Sequence, residues 1–117
     1  MPTILCIDDE VESLQTRKSL LESQGYQVIT VNSGKEGLQV VESTPVDVAI
    51  VDDYMPGMRG MEVASNIKKI NPAIPIIMLS GWGELPSESA GIAFRWVLKG
   101  SPPDELLATI KRLTQKR

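Results

Sequence analysis

Apolar residues fall along this chain in two alternating kinds of run. Five short stretches are almost continuously apolar: Thr3–Ile7, Gln27–Val31, Val46–Val51, Ile74–Leu79 and Phe94–Leu98. Turn-forming or charged residues bound them, as expected of strands buried on both faces of a sheet. Between them the apolar spacing changes to three and four. Glu10–Ser23 carries Val11, Leu14, Lys18 and Leu21 at that spacing, with Leu20 beside them. This predicts an amphipathic helix ended by Gly25. Ser33-Gly34-Lys35-Glu36 matches a capping box, and the helix it opens carries Leu38, Val40 and Val41. That helix finishes near Ser43, because Pro45 biases Thr44 away from helical angles.

A third helix is expected over Arg59–Ile70, with Met61, Ala64, Ile67 and Ile70 facing inward and Asn71-Pro72 ending it. Gly81–Ala93 is the place for a fourth, but Pro86 and the glycines at 81, 83 and 91 limit it to a short or irregular turn or two. The last helix opens at Ser101-Pro102-Pro103-Asp104, with serine as N-cap and proline in the first turn. Its buried stripe is Leu106, Leu107, Ile110 and Leu113. The expected fold class is α/β: a five-stranded parallel sheet with helices on both faces. Right-handed crossovers leave few strand orders, and the flavodoxin-like order 2-1-3-4-5 is the common one. In that order ligands bind beyond the C-terminal ends of strands one and three.

Polar residues gather at that edge. Asp8 and Asp9 end the first strand, Asp52 and Asp53 the third, Ser80 the fourth and Lys99 the fifth. A single aspartate at a strand end is usually a turn or cap residue. Four strands all ending in polar groups are harder to assign to capping. Strand alternation lets only one of Asp52 and Asp53 face the rim as the main ligand. Two carboxylates about 4 Å apart repel by roughly 4 kcal/mol at an effective dielectric near 20. A third must be protonated or matched by a cation. An all-oxygen site with open positions suits Mg²⁺. With Lys99 and a hydroxyl added, the rim has what an incoming phosphoryl group requires: neutralisation, positioning and a hydrogen bond.

Composition narrows the alternatives. The 117 residues are expected to form one domain, residues 1–117, large enough for a hydrophobic core. A net charge of −3, with no basic cluster beyond Lys111–Arg117, argues against direct nucleic-acid binding. Cys6 is the sole cysteine, so no internal disulfide forms; a buried, reduced thiol and a cytoplasmic location are expected. No apolar stretch reaches the roughly 20 residues that span a bilayer, and with strand sequence starting at once no signal peptide is expected. The chain has no histidine, which excludes a His-ligated zinc site and a His base.

Together the acidic pair in Ile4-Leu5-Cys6-Ile7-Asp8-Asp9-Glu10, the segment Asp52-Asp53-Tyr54-Met55-Pro56-Gly57, Ser80 after Ile76-Ile77-Met78-Leu79, and Lys99 carry a family likeness. The chain resembles, end to end, a response-regulator receiver domain of two-component signalling. The resemblance implies that Asp52, three residues before Met55-Pro56, is the phosphoacceptor, which selects it over Asp53. It implies that Asp8 and Asp9 bind Mg²⁺ with Asp52 and the Tyr54 backbone carbonyl. It implies a histidine kinase or histidine phosphotransfer protein as donor, and a signalling domain rather than an enzyme. Ser80 would bond the phosphoryl oxygen and shift inward, and Trp96 would hold the switch position, though core packing explains that ring equally well. The fourth helix, fifth strand and last helix would form an output surface for a second copy or a downstream protein.

Two departures are visible. Gly100 follows Lys99 where receivers usually have proline after a cis bond, and the interval from Ser80 to Lys99 is short. Trp82 and Tyr54, each two residues past a rim residue, are expected to shield an acyl phosphate from water. Two other classes stay open at this point: an aspartate-nucleophile phosphohydrolase, which would want Asp-x-Asp where Asp52-Asp53-Tyr54 stands, and a flavin-binding flavodoxin-like module, whose phosphate Asp8-Asp9-Glu10 would repel.

Overall fold

All five apolar runs become strands, and the helices alternate with them: β1 (Thr3–Ile7), α1 (Val11–Ser23), β2 (Gln27–Val31), α2 (Gly34–Ser43), β3 (Val48–Asp52), α3 (Gly60–Ile70), β4 (Ile76–Ser80), β5 (Phe94–Leu98) and α4 (Pro103–Thr114). The computed structural model describes residues 1–53, 57, 59–81 and 94–115, with Phe94 described by its backbone alone. The expected fourth helix lies outside the described residues, as do Trp82 and Tyr54. The sheet is parallel throughout, in the order β2-β1-β3-β4-β5. Consecutive strands therefore run outward from β1 in both directions, and the order reverses between β1 and β3, as the flavodoxin-like expectation required.

Strand alternation divides the core into two layers. Leu5, Ile7, Ala49, Val51, Ile76 and Met78 pack with Val41 of α2 and with Val63, Ala64 and Ile67 of α3. Ile4, Cys6, Val48, Ile50, Ile77, Leu79 and Val97 pack with Leu14 and Leu21 of α1 and with Leu106 and Ile110 of α4. The three central strands β1, β3 and β4 are thus buried on both faces, which is why they read as continuous apolar runs, while the edge strands β2 and β5 are partly exposed.

Local chemistry sets the element ends. Helix α1 closes with the Gly25 N–H on the Glu22 carbonyl and the Tyr26 N–H on the Leu21 carbonyl, at 3.0 and 3.2 Å. This Schellman pairing needs the positive φ of 94° at Gly25, which glycine adopts freely. The capping box at α2 forms: Ser33 Oγ accepts the Glu36 N–H at 3.2 Å, and the Glu36 carboxylate reaches back to the Asn32 N–H at 3.4 Å.

Several expectations need correction. Strand β3 starts at Val48 rather than Val46 and includes Asp52, and β4 runs from Ile76 to Ser80 rather than from Ile74. Ser101 does not cap the last helix; its hydroxyl donates to the Leu98 carbonyl at 2.6 Å and Pro102 stands at the cap. Ile70 is 39% exposed and Val63 takes the inward place, because the inward stripe of α3 runs 60, 63, 64, 67. In α1, Val11 is 57% exposed, and Lys18 pairs with Glu22 at 2.6 Å on the surface. The position that turns inward between Leu14 and Leu21 is Arg17, at i+3 and i+7 spacing along one face.

Candidate functional site

The site lies where the sheet order reverses. Asp8 follows β1 directly, Asp52 is the last residue of β3, and Lys99 follows β5 directly. Their parity along the strands is that of Cys6, Ile50 and Val97, so all three belong to the layer covered by α1 and α4. Asp53 has the opposite parity, which is why a one-residue choice decides which aspartate enters the site. Gly60, first residue of α3, lets that helix approach closely: a Cβ there would collide with the Asp52 carbonyl oxygen and lie 2.7 Å from Asp53 Cα.

Carboxylate oxygens of Asp8, Asp9 and Asp52 all come within 4.8 Å of one another, the spacing of a group that can hold a cation. Asp8 is fully buried, Asp52 nearly so, and Asp9 is exposed. This gradient leaves the cluster open to solvent through Asp9. Lys99 Nζ stands 3.1 Å from Asp52 Oδ1, and 3.6 Å from both Asp8 Oδ2 and Glu10 Oε1. Burial alone would lower the Lys99 pKa from 10.5, but the hydrogen bond to Asp52 and the charges of Asp52, Asp8 and Glu10 outweigh it and raise it. Lys99 is a fixed cation at neutral pH.

Ser80 ends β4, 1% exposed, and its carbonyl accepts the Lys99 N–H at 2.7 Å. Ser80 and Trp96 share the parity of Met78, on the opposite layer from Asp52. Trp96 packs half-buried against that layer, and among the described residues its Nε1–H has no hydrogen-bond acceptor. The Tyr54 carbonyl lies outside the described residues. No described peptide bond is cis, Lys99–Gly100 included.

Two further residues join the cluster. The Glu10 N–H donates to Asp8 Oδ1 at 3.0 Å. Both terminal nitrogens of Arg17 lie 3.4 Å from Asp8 Oδ2, with the Arg17 side chain only 12% exposed. The apolar spacing points to Lys18 on the inward stripe, but the helix rotation puts Arg17 there instead. A charged residue three after Leu14 and four before Leu21 was the available signal, since an inward arginine demands a buried anion. The charges of Arg17 and Asp8 also act on Cys6. Burial pushes that thiol up to about 12, with Asp8 adding and Arg17 opposing.

The sheet order and acidic rim define a class. The sequence profile of the response regulator receiver domain matches residues 4–111, and the chain belongs to that family, a signalling domain of two-component systems. Among relatives, the chain is 34% identical over 110 residues to the transcriptional regulatory protein GlrR of Escherichia coli K12, covering 92% of this chain and 25% of GlrR. The chain therefore spans about a quarter of that relative's length. Among solved structures it is similar to the response regulator TrrA of Thermotoga maritima in complex with Mg(2+)-BeF, with 33% identity, a TM-score of 0.85, and coverage of 97% of this chain and 99% of that one. TrrA in complex with the histidine kinase ThkA matches at 34% identity, a TM-score of 0.89, and coverage of 97% and 98%. Among the described residues no helix is long and apolar enough to cross a membrane.

Proposed function

We propose that Asp52 is the phosphoacceptor of this receiver, with a histidine kinase or histidine phosphotransfer protein as donor. One observation carries the reading: a buried carboxylate at a strand end lies 3.1 Å from a lysine and within 4.8 Å of two further aspartates. An Asp52 oxygen attacks the phosphorus of a partner phosphohistidine. The P–N bond breaks as the P–O bond of an acyl phosphate forms, and the imidazole takes up a proton. Lys99 holds Asp52 in line and balances the charge brought by the phosphoryl oxygens. Asp8 and Asp9, with Asp52 and the Tyr54 carbonyl, are the proposed Mg²⁺ ligands, in keeping with the Mg(2+)-BeF complex of TrrA. A Mg²⁺ ion held there would supply positive charge to offset the phosphoryl oxygens against the acidic rim.

Ser80, at the end of the neighbouring strand, is the proposed phosphoryl hydrogen-bond donor. Its shared face with Trp96 supports a coupled switch through β4 and β5. On this reading residues 1–117 are one signalling domain that assists its own phosphorylation and is not an enzyme acting on other substrates. It works in the cytoplasm and makes no direct nucleic-acid contact. Its output passes to a second copy or a downstream protein.

Incubation with acetyl phosphate or beryllofluoride in Mg²⁺ tests this. Intact-mass and ¹⁹F spectra should show one Mg²⁺-dependent adduct, abolished by Asp52→Asn and retained by Asp53→Asn. Steady turnover of phosphomonoesters, or an adduct that survives Asp52→Asn, would overturn the reading.

A further inference from the structure

We infer that Arg17 is a built-in countercation that competes with a divalent metal for the Asp8 side of the cluster, so that this chain binds Mg²⁺ weakly until Arg17 moves aside. The inference rests on the proposed reading of Asp8, Asp9 and Asp52 as metal ligands and adds how that site is regulated. The charges around the site motivate it. Four carboxylates, Asp8, Asp9, Glu10 and Asp52, face two cations, Lys99 and Arg17, a formal balance of −2. Without Arg17 the balance is −3. The cluster therefore attracts a dication less strongly than its aspartates alone would, because a fixed positive charge a few ångströms away opposes the incoming one.

Geometry makes the opposition specific. Asp8 Oδ1 accepts the Glu10 N–H, and Oδ2 is shared by both Arg17 nitrogens and Lys99. Both Asp8 oxygens are thus engaged before any metal arrives. Lys99 is anchored principally to Asp52, at the shorter distance of 3.1 Å. The Arg17 contacts, at 3.4 Å, are long for charge-assisted hydrogen bonds. Of the two cations, Arg17 is the looser, and it has somewhere to go. It lines a groove of about 400 Å³ between α1 and the start of α4, with Ser13, Thr16, Lys99, Ser101 and Leu106 among the walls. The hydroxyl of Ser13, one helical turn before Arg17 and on the same groove wall, can receive the guanidinium there.

The test is direct Mg²⁺ titration of the protein without phosphodonor, by calorimetry and by the thermal midpoint at increasing MgCl₂. Arg17→Gln, which keeps donors but not charge, and Arg17→Met should bind Mg²⁺ about tenfold more tightly than the parent. Arg17→Lys, which keeps the charge, should stay within about threefold of it. Both neutral variants should melt lower in the absence of Mg²⁺ and gain more from its addition. A purely structural Arg17 would lower the midpoint and leave the Mg²⁺ affinity unchanged or weaker, which overturns the inference. If the parent responds to Mg²⁺ and all variants match it, the inference alone fails. If neither parent nor variants respond, the metal-site reading fails with it. Should Arg17→Met not fold, the Gln variant still decides, since it can hydrogen-bond Asp8.

Discussion

Lys99 is held between opposing influences: partial burial, which disfavours its charge, and three carboxylates, which favour it more. Its pKa is therefore raised above 10.5 in the folded chain. A raised lysine pKa means the folded state holds its proton longer than the unfolded one. The stabilisation is fully present below about 10.5 and disappears as pH rises through the folded value. Urea denaturation of the parent and Lys99→Met should show a stability difference that is constant near neutrality and narrows in strongly alkaline solution. Cys6 titrates in both proteins and cancels in the difference. A gap that widens with pH would contradict the assignment. At this scale much of the site was legible: Asp8, Asp9, Asp52, Ser80 and Lys99 all reach the predicted rim. Arg17 and Glu10 were not, because their roles depend on the rotation of α1 about its axis and on a turn, neither of which apolar spacing specifies closely.

Elements position these residues through close packing. Helix α3 begins against the end of β3 with no room for a side chain at Gly60. Gly60→Ala should destabilise the protein by about 1–3 kcal/mol through overpacking at this point. It should also slow Mg²⁺-dependent acetyl phosphate labelling, because the displaced backbone carries Asp52. Chemical denaturation and labelling rates measured together check both effects; an unchanged stability would show that α3 can shift freely. Val41 of α2, Ala64 and Ile67 of α3, and Leu106 and Ile110 of α4 were readable as inward aliphatic positions, whereas the buried Gly34, Gly37, Gly60, Val63 and Thr109 on the same faces were not. Helix α1 has only Leu14 and Leu21 fully inside. A stripe of two leucines does not determine which charged neighbour joins it, so Lys18 and Arg17 exchanged places between expectation and structure.

At the scale of the whole molecule, the sheet joins two apolar layers that share every strand interior. Ile50 lies at 0% exposure on the layer facing α1 and α4, while Trp96 packs on the other layer. Ile50→Ala should cost about 2–5 kcal/mol, the range for deleting a buried branched side chain. The loss should appear equally in far-UV circular dichroism and in tryptophan fluorescence during urea denaturation. Separate transitions would mean that the layers unfold independently. The alternation of buried strands and amphipathic helices, the parallel order and the polar strand ends were determined by the sequence alone. They depend on local periodicity and on chain-crossing handedness, which act along the chain. The layer each rim residue joins, the close approach at Gly60 and the seating of Arg17 on Asp8 were decided only in three dimensions. Strand register, helix rotation and the matching of buried charge settle those points, and each depends on neighbours distant in sequence.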